Sequence, residues 1–326
     1  MNRNHSRHTP PRILVCGPNP SWQKTLPFDE FRPGGINRAC ERDCRASGKG
    51  VNFARAVRTW GTAVPVVFQF TGGDNGRKIG AWLQREGIDS VSRSIADETR
   101  CCTTVLCRKC ASMTELIEPS PTVTPDDVEF LKESILAALP GTDALALCGT
   151  LPKGPLEGFY AGIAANAVRA GKPVLMDSVE HFDETLAAGV QYLKINSDEL
   201  LKVTGTSGSD DPEAAALRLM DRFPLRCAAI TDGSGRAFIA GQDAVHRIFI
   251  PPLPGVCNPI GAGDVCSGVM LSELLAGTDP LNAFTTGIAA ACASCLSPYA
   301  ADFDRAEALG IRDRMRIEAV ASGSRN

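Results

Sequence analysis

Short apolar runs that alternate with longer stretches of helical spacing narrow the folds open to this chain more than any other feature. ILVC (13–16), PVVFQF (65–70), ALALC (144–148), PVLMD (173–177), YLKI (192–195) and CAAIT (227–231) are continuous and too short for helices, so they read as buried strands. Between them VNFARAVRTW, GRKIGAWLQREG, PDDVEFLKESILAALPG, LEGFYAGIAANAVRAG and DPEAAALRLMDRF carry apolar residues at helical intervals, and some of these stretches close on glycine. Strand, helix, strand repeated this often predicts an α/β fold, with a mainly parallel central sheet flanked by helices.

Two stretches break the rhythm. Residues 21–46 are polar and punctuated by Pro and Gly, and 91–118 are rich in Thr, Ser and Cys with alternation in RCCTTVLC. Both read as extended segments outside the main sheet, together a small β-sheet lid. The expected organisation is a tail over 1–11, one domain over 12–320 with lid segments near 21–46 and 91–118, and a short tail over 321–326.

With 326 residues and 44% apolar content the chain can bury a sizeable core. Its net charge of −3 is spread without long runs of one sign, which points away from nucleic acid and membrane surfaces as partners. The first residues, MNRNHSRHTPPR, lack the apolar core of a secretory signal. Thirteen cysteines is an odd number, which in a chain of this length suits a reducing cytoplasm better than a disulfide framework. Cys40/Cys44 and Cys107/Cys110 would make a four-thiolate zinc site only if the fold joined them, so free thiols are the preferred reading.

Ligands of an open α/β sheet gather at the carboxyl ends of its strands. NPIGAGDVCSGVMLSELLAG (258–277) sets Asp264 behind Gly261, Ala262 and Gly263 at the start of a helical stretch. Free backbone N–H groups and the helix dipole favour an anion there, and the Asp264 carboxylate is placed either to take a proton from a substrate hydroxyl or to cap the helix. SGKGVNFARAV (47–57) flanks Lys49 with glycines and is not a Walker A loop, because Asp43 and Gly50 stand where Gly and Ser or Thr are required. KINSDEL (194–200) brings Asn196 and Glu199 to one helix face, as a hydrated Mg²⁺ partner or a capping pair. TDGSG (231–235) follows a strand without giving a dinucleotide fingerprint.

In order, NPSWQKT, GGINR, SGKGVNFARAV, ETRCCTT, TELIEPSPTVT, CGTLPKG, KINSDEL, TDGSG and IGAGD resemble the ribokinase-like (PfkB) carbohydrate kinases over nearly the whole chain. The likeness is greatest to the branch holding 1-phosphofructokinase and tagatose-6-phosphate kinase. The resemblance implies a three-layer ribokinase-like fold with a lid, ATP and Mg²⁺ as cofactors and a phosphosugar substrate, and the edges of the lid's extended segments suit lid-to-lid pairing in a homodimer. It implies Asp264 as the catalytic base, with the amides of Gly261, Ala262 and Gly263 as the anion hole. By the same likeness Gln23, Gly48, Lys49 and Asn52 hold the sugar, while Arg100, Arg38 and Thr150 surround the phosphate already on it. Lys194, Asn196, Thr231 and Gly233 belong to the nucleotide side, and Glu199 to Mg²⁺, indirectly.

This sequence departs from the family pattern at four places. Gln23 replaces an aspartate that holds sugar hydroxyls, Ser47 a glycine, Arg236 a glycine of the nucleotide loop, and Asn258-Pro259 the usual Asp/Ser-Thr, a change that bears on potassium dependence. Three readings follow: a kinase of a ketohexose monophosphate, a kinase of an unphosphorylated sugar or nucleoside, and a non-catalytic binder of sugar phosphate or nucleotide. The available cations Lys49, Arg38 and Arg100 favour the first.

Overall fold

A computed structural model describes residues 9–205, 211–242 and 244–320. Residues 1–8 and 321–326, which fall in the two expected tails, lie outside the described residues. The end of the first tail is tied down, since the Pro11 carbonyl accepts a hydrogen bond from the Val64 N–H (2.8 Å).

Along the first half of the chain the strands are β1 (Arg12–Cys16), β2 (Ser21–Phe28), β3 (Asp43–Ser47), β4 (Val64–Gly72), β5 (Asp89–Ile95), β6 (Cys101–Cys107) and β7 (Ser112–Ile117). The second half adds β8 (Ala144–Cys148), β9 (Val174–Asp177), β10 (Tyr192–Asn196), β11 (Cys227–Asp232), β12 (Arg236–Gly241), β13 (Val245–Phe249) and β14 (Arg316–Val320). Helices α1 (Lys49–Trp60), α2 (Gly73–Glu86), α3 (Pro125–Ala138), α4 (Phe159–Arg169) and α5 (Phe182–Ala187) precede α6 (Ser197–Thr204), α7 (Pro212–Arg222), α8 (Ala262–Leu275), α9 (Pro280–Leu296) and α10 (Arg305–Arg312).

The large sheet runs β14-β13-β12-β11-β10-β9-β8-β1-β4-β5. From β5 through β11 every pairing is parallel, and β12, β13 and β14 extend the far end antiparallel. Both faces are buried because side chains alternate across each strand. Ile13 and Val15 of β1 join the apolar layer of α1, α2, α8, α9 and α10, and Leu14 and Cys16 join that of α3 to α7. This is an α/β fold with a helix-flanked, mainly parallel sheet, and the six expected strands all lie in it. Among the described residues no helix is long and apolar enough to cross a membrane.

The second sheet is small, in the order β3-β2-β6-β7, with β2 and β6 parallel and the outer pairs antiparallel. It joins the two segments that break the helix and strand rhythm. The second of these begins later than expected, because residues 91–95 pair with β4 as the outer strand of the large sheet. DSVSRSI alternates as an edge strand does, with one neighbour and a half-exposed face.

The chain leaves β1 toward β4 on one side and later returns as β8 on the other. That reversal opens a crevice at the carboxyl ends of β1 and β8, where Gly17, Asn19, Gly149 and Thr150 stand.

Candidate active site

A cavity of ≈ 520 Å³ occupies this crevice, with the small sheet as one wall and the start of α8 as part of its floor. A second, more apolar cavity of ≈ 550 Å³ is lined by Ile250, Pro252, Leu253, Val256, Cys292 and Cys295, among others. Thr231, Pro259 and Gly263 line both, so the glycine turn separates two compartments of ligand size. Every site residue expected from the sequence lines one or both cavities except Arg38, which is exposed on the loop between β2 and β3.

Gly261 precedes the first turn of α8 with φ +77°, a left-handed conformation that favours glycine. The next N–H groups lack intrahelical acceptors. That of Ala262 donates to the Pro259 carbonyl (3.2 Å), a turn bond that removes it from the set of free donors. A Cβ on Gly263 would come 2.8 Å from the Lys194 Nζ, so only glycine lets that ammonium sit against the helix start. Asp264 is the third helical residue, is buried, and makes no capping hydrogen bond. Its Oδ2 instead accepts from the Asn52 Nδ2 (2.8 Å) across the base of the cavity.

The direction of that bond is set from behind. The Asn52 Oδ1 accepts from the Ser47 Oγ (3.2 Å) and the Arg55 guanidinium (3.2 Å), which leaves the amide NH₂ to face Asp264. Ser47, one of the four departures, thus orients the asparagine.

Lys49 donates to Asp177 Oδ1 (2.8 Å) and Glu199 Oε1 (3.3 Å), while Ser267 donates to the other Asp177 oxygen (2.5 Å), with the Lys194 ammonium 3.8 Å from it. Burial alone would lower the Lys49 pKa, but Asp177, Glu199 and Asp264 outweigh it and hold the ammonium above the usual lysine range. Burial likewise works to raise Asp177, and Lys194 and Lys49 hold it below the usual carboxylate range. Asp264 behaves oppositely: burial first, then the negative charge of Asp177, pushes its carboxyl up to about 7.

On the small-sheet side Gln23 is buried and donates to the Thr104 hydroxyl (2.7 Å). Arg100 donates to the Asn19 carbonyl (3.0 Å), and the Asn19 Nδ2 donates to Ser120 (2.8 Å) and Thr150 (3.0 Å), so these residues form one rim. Asn196 and Glu199 form a complete capping box at the start of α6. Arg236 pairs with Asp232 rather than entering the second cavity. Asn258 is fully buried and donates to the Pro298 carbonyl (3.0 Å), fixing the segment ahead of the turn.

Residues 24–306 match the family described as pfkB family carbohydrate kinase. This chain belongs to that family. The kinase is 29% identical over 268 residues to tagatose-6-phosphate kinase of Staphylococcus epidermidis, a match covering 81% of this chain and 85% of that protein. It is 28% identical over 297 residues to ATP-dependent 6-phosphofructokinase isozyme 2 of Mycobacterium tuberculosis, covering 90% and 87%. In fold it is similar to phosphofructokinase-2 from Escherichia coli, with a TM-score of 0.83 at 22% identity over 93% of this chain and 98% of that one. It is therefore an enzyme that phosphorylates sugars, built on the ribokinase-like fold.

Sequence reasoning missed four features of the kinase's cavities. Asp177 ends PVLMD at the carboxyl end of a parallel strand, a position that carries the signal by itself. Ser267 lies one helical turn beyond Gly263, whose carbonyl its hydroxyl also meets (3.1 Å). Met113, Glu115 and Ile117 enter the first cavity at alternate positions of β7, and no local signal distinguishes them from an exposed strand. The apolar walls of the second cavity come from IFIPPLPGV (248–256) and α9, neither of which carries a recognisable ligand motif. Among the described residues no group of three or more His, Cys, Asp or Glu side chains can hold a metal ion. With both Glu199 oxygens already accepting, from Lys49 and the Asn196 N–H, the donor set fits Mg²⁺ only as an outer partner of a hydrated ion.

Proposed function

We propose that the kinase transfers the γ-phosphoryl group of ATP to a ketohexose monophosphate, as tagatose-6-phosphate kinase or 1-phosphofructokinase would, with Asp264 as the base. The observation that carries this reading is the Asp264 carboxylate at the turn shared by the two cavities, one oxygen held by Asn52 and its pKa near neutrality. The sugar occupies the first cavity and the nucleotide the second. Asn52 fixes the carboxylate while its free oxygen takes the proton of the acceptor hydroxyl. The amides of Gly261 and Gly263, with that of Asp264, receive charge on the transferring group, and Lys194 against Gly263 adds a cation beside it.

Glu199 and Asn196 would stand as outer partners of a hydrated Mg²⁺, which would supply neutralisation of the phosphate charge. Lys49 is committed to Asp177 and Glu199, so Arg100, with Thr150, is the group left to grip the substrate phosphate. Gln23 and Gly48 lie beside the sugar. Arg38 reaches the site only from a second subunit. The fully exposed β7 has an unpaired edge that suits lid-to-lid pairing in a homodimer, and the relevant measurement is sedimentation of the purified chain.

One observation favours the second reading, an unphosphorylated sugar. Glu115 brings a carboxylate into the same wall as Arg100, and an anionic substrate group would have to share the cavity with it. ADP release with ATP–Mg²⁺ and fructose 1-phosphate, tagatose 6-phosphate, fructose 6-phosphate, fructose, ribose or adenosine separates the two. Preference for a phosphosugar supports the first reading, activity confined to unphosphorylated compounds the second, and silence across the panel counts against both.

A further inference from the structure

Arg55 of α1 is buried behind Asn52 and lines neither cavity. Its guanidinium reaches three neighbours: Nη1 donates to the Asn52 Oδ1 (3.2 Å), Nη2 to the Ala46 carbonyl of β3 (2.8 Å), and Nε to the Oε1 of Glu86, the last residue of α2 (2.8 Å). The Trp82 Nε1 donates to the same Glu86 oxygen (2.9 Å), and Trp22 of β2 meets the Trp82 ring edge-on, 5.8 Å between centroids. The other Glu86 oxygen is buried and has no hydrogen-bond partner.

An ion pair built for stability alone would use both carboxylate oxygens. Arg247 and Glu213 do so, with two parallel bonds of 2.6 and 2.9 Å. Arg55 gives Glu86 its Nε alone, which leaves one arm of the guanidinium for Asn52.

We propose, resting on the reading of Asp264 as the base, that Glu86 is a positioning residue for it, acting through Arg55 and Asn52. Donation from a guanidinium to the Asn52 Oδ1 polarises that amide and strengthens the bond its Nδ2 makes to the Asp264 Oδ2 (2.8 Å). The Arg55 charge also favours the ionised form of Asp264, and Glu86 offsets that charge. Arg55 thus aims the base, and Glu86 keeps the carboxyl from being held ionised too firmly to accept a proton.

The other charges that face Asp264 are Lys49 from α1, Asp177 from β9 and Lys194 from β10, and none of them bonds to Arg55 or Glu86. Helix α9, packed against α8, carries no charged residue. Near the pair itself, Arg45 of β3 is committed to Asp43, and Arg85 lies over the Trp82 ring (4.2 Å). Changes at Arg55 and Glu86 therefore act on Asp264 along one line, through Asn52.

The test is the pH dependence of kcat in full-length wild type, Glu86→Gln, Arg55→Met and Arg55→Lys, with ATP–Mg²⁺ and whichever sugar of the panel above wild type uses best. Glu86→Gln keeps the shape and the acceptor for Arg55 and Trp82 and removes only the charge. It should move the acid limb to lower pH by about half a unit or more. Arg55→Met should move the limb to higher pH and lower kcat by about tenfold or more with the KM for ATP unchanged, and Arg55→Lys, which restores the cation, should bring the limb back toward wild type. Shifts of opposite sign from the two partners distinguish positioning from packing, since lost packing lowers kcat without moving the limb in two directions. An unmoved limb in Glu86→Gln would overturn the proposal, and that variant decides alone if Arg55→Met does not fold. Shifts of the same sign in Glu86→Gln and Arg55→Met would overturn it as well. A wild type inactive on the panel or without an acid limb would instead fail the reading of Asp264 itself, and the proposal with it.

Discussion

The floor of the first cavity is a network of charges held mostly out of water, whereas the wall raised by the small sheet ends in the exposed strand β7 and presents one arginine, Arg100, and one glutamate, Glu115, to the cavity. On the floor, Lys49, Asp177, Lys194, Ser267, Asn52 and Asp264 interlock, and each partner's charge or amide direction is fixed by another. On the wall, Arg100 is anchored only through backbone carbonyls, and all of β7 is exposed. A network of the first kind holds reacting groups in place, and a surface of the second kind can change its partner without disturbing them. On the function proposed above, chemistry would reside in the floor and substrate choice in the wall.

The largest effect that separates the two falls on the floor. Asp264→Asn should lower kcat roughly 10³-fold, within the ~10²–10⁴ that a general base supplies, with substrate binding changed little. A near-normal rate would return Asp264 to a structural role. Next comes the wall: Arg100→Ala should raise the KM for a phosphosugar by about 10- to 100-fold, the worth of a lost charge-assisted hydrogen bond, and leave the KM for ATP unchanged. Equal effects on both would dissolve the distinction.

A third effect sharpens the floor alone and appears in stability. The folded Asp264 carboxyl titrates at about 7, above the ~4 of an unfolded aspartate, so the folded state keeps its proton where the unfolded chain has lost it. Its contribution is full below about pH 4 and fades as pH rises toward 7. Asp264→Asn, which has no proton to lose, should gain in Tm over wild type between pH 5 and pH 8, and thermal melts at the two pH values would show it. A constant difference would mean that the carboxyl titrates normally. The smallest effect belongs to Glu115→Gln on the wall. It should lower the KM for a phosphosugar by about threefold, the size of a partly screened charge contact, whereas a rise for unphosphorylated sugars would favour the second reading.

The same division governs what the sequence made legible. Six of the seven strands in the parallel part read correctly because strands buried on both faces are continuous apolar runs, whereas β5, an edge strand with a half-exposed face, falls in part within the expected lid segment. The glycine turn was found because a helix start behind a strand is a ligand position in any open sheet. β12, β13 and β14 were missed: β12 is RAFIAG, small residues without a clear period, and β14 is an edge strand exposed over most of its length and carrying Arg316 and Glu318. Asp177 and Lys194 lie 17 residues apart at the ends of neighbouring strands, and only the pairing of β9 with β10 brings them together. Glu115 faces the cavity because of the register of β6 and β7, which alternation alone leaves undetermined.

The most direct test of Asp264 as a base tuned by its buried surroundings is the pH dependence of kcat. Wild type should lose activity on the acid side with a limb near pH 7, and Asp177→Asn, which removes the neighbouring negative charge, should move that limb to lower pH. A rate flat from pH 5.5 to 8.5 in wild type, or a limb that Asp177→Asn leaves in place, would contradict the account.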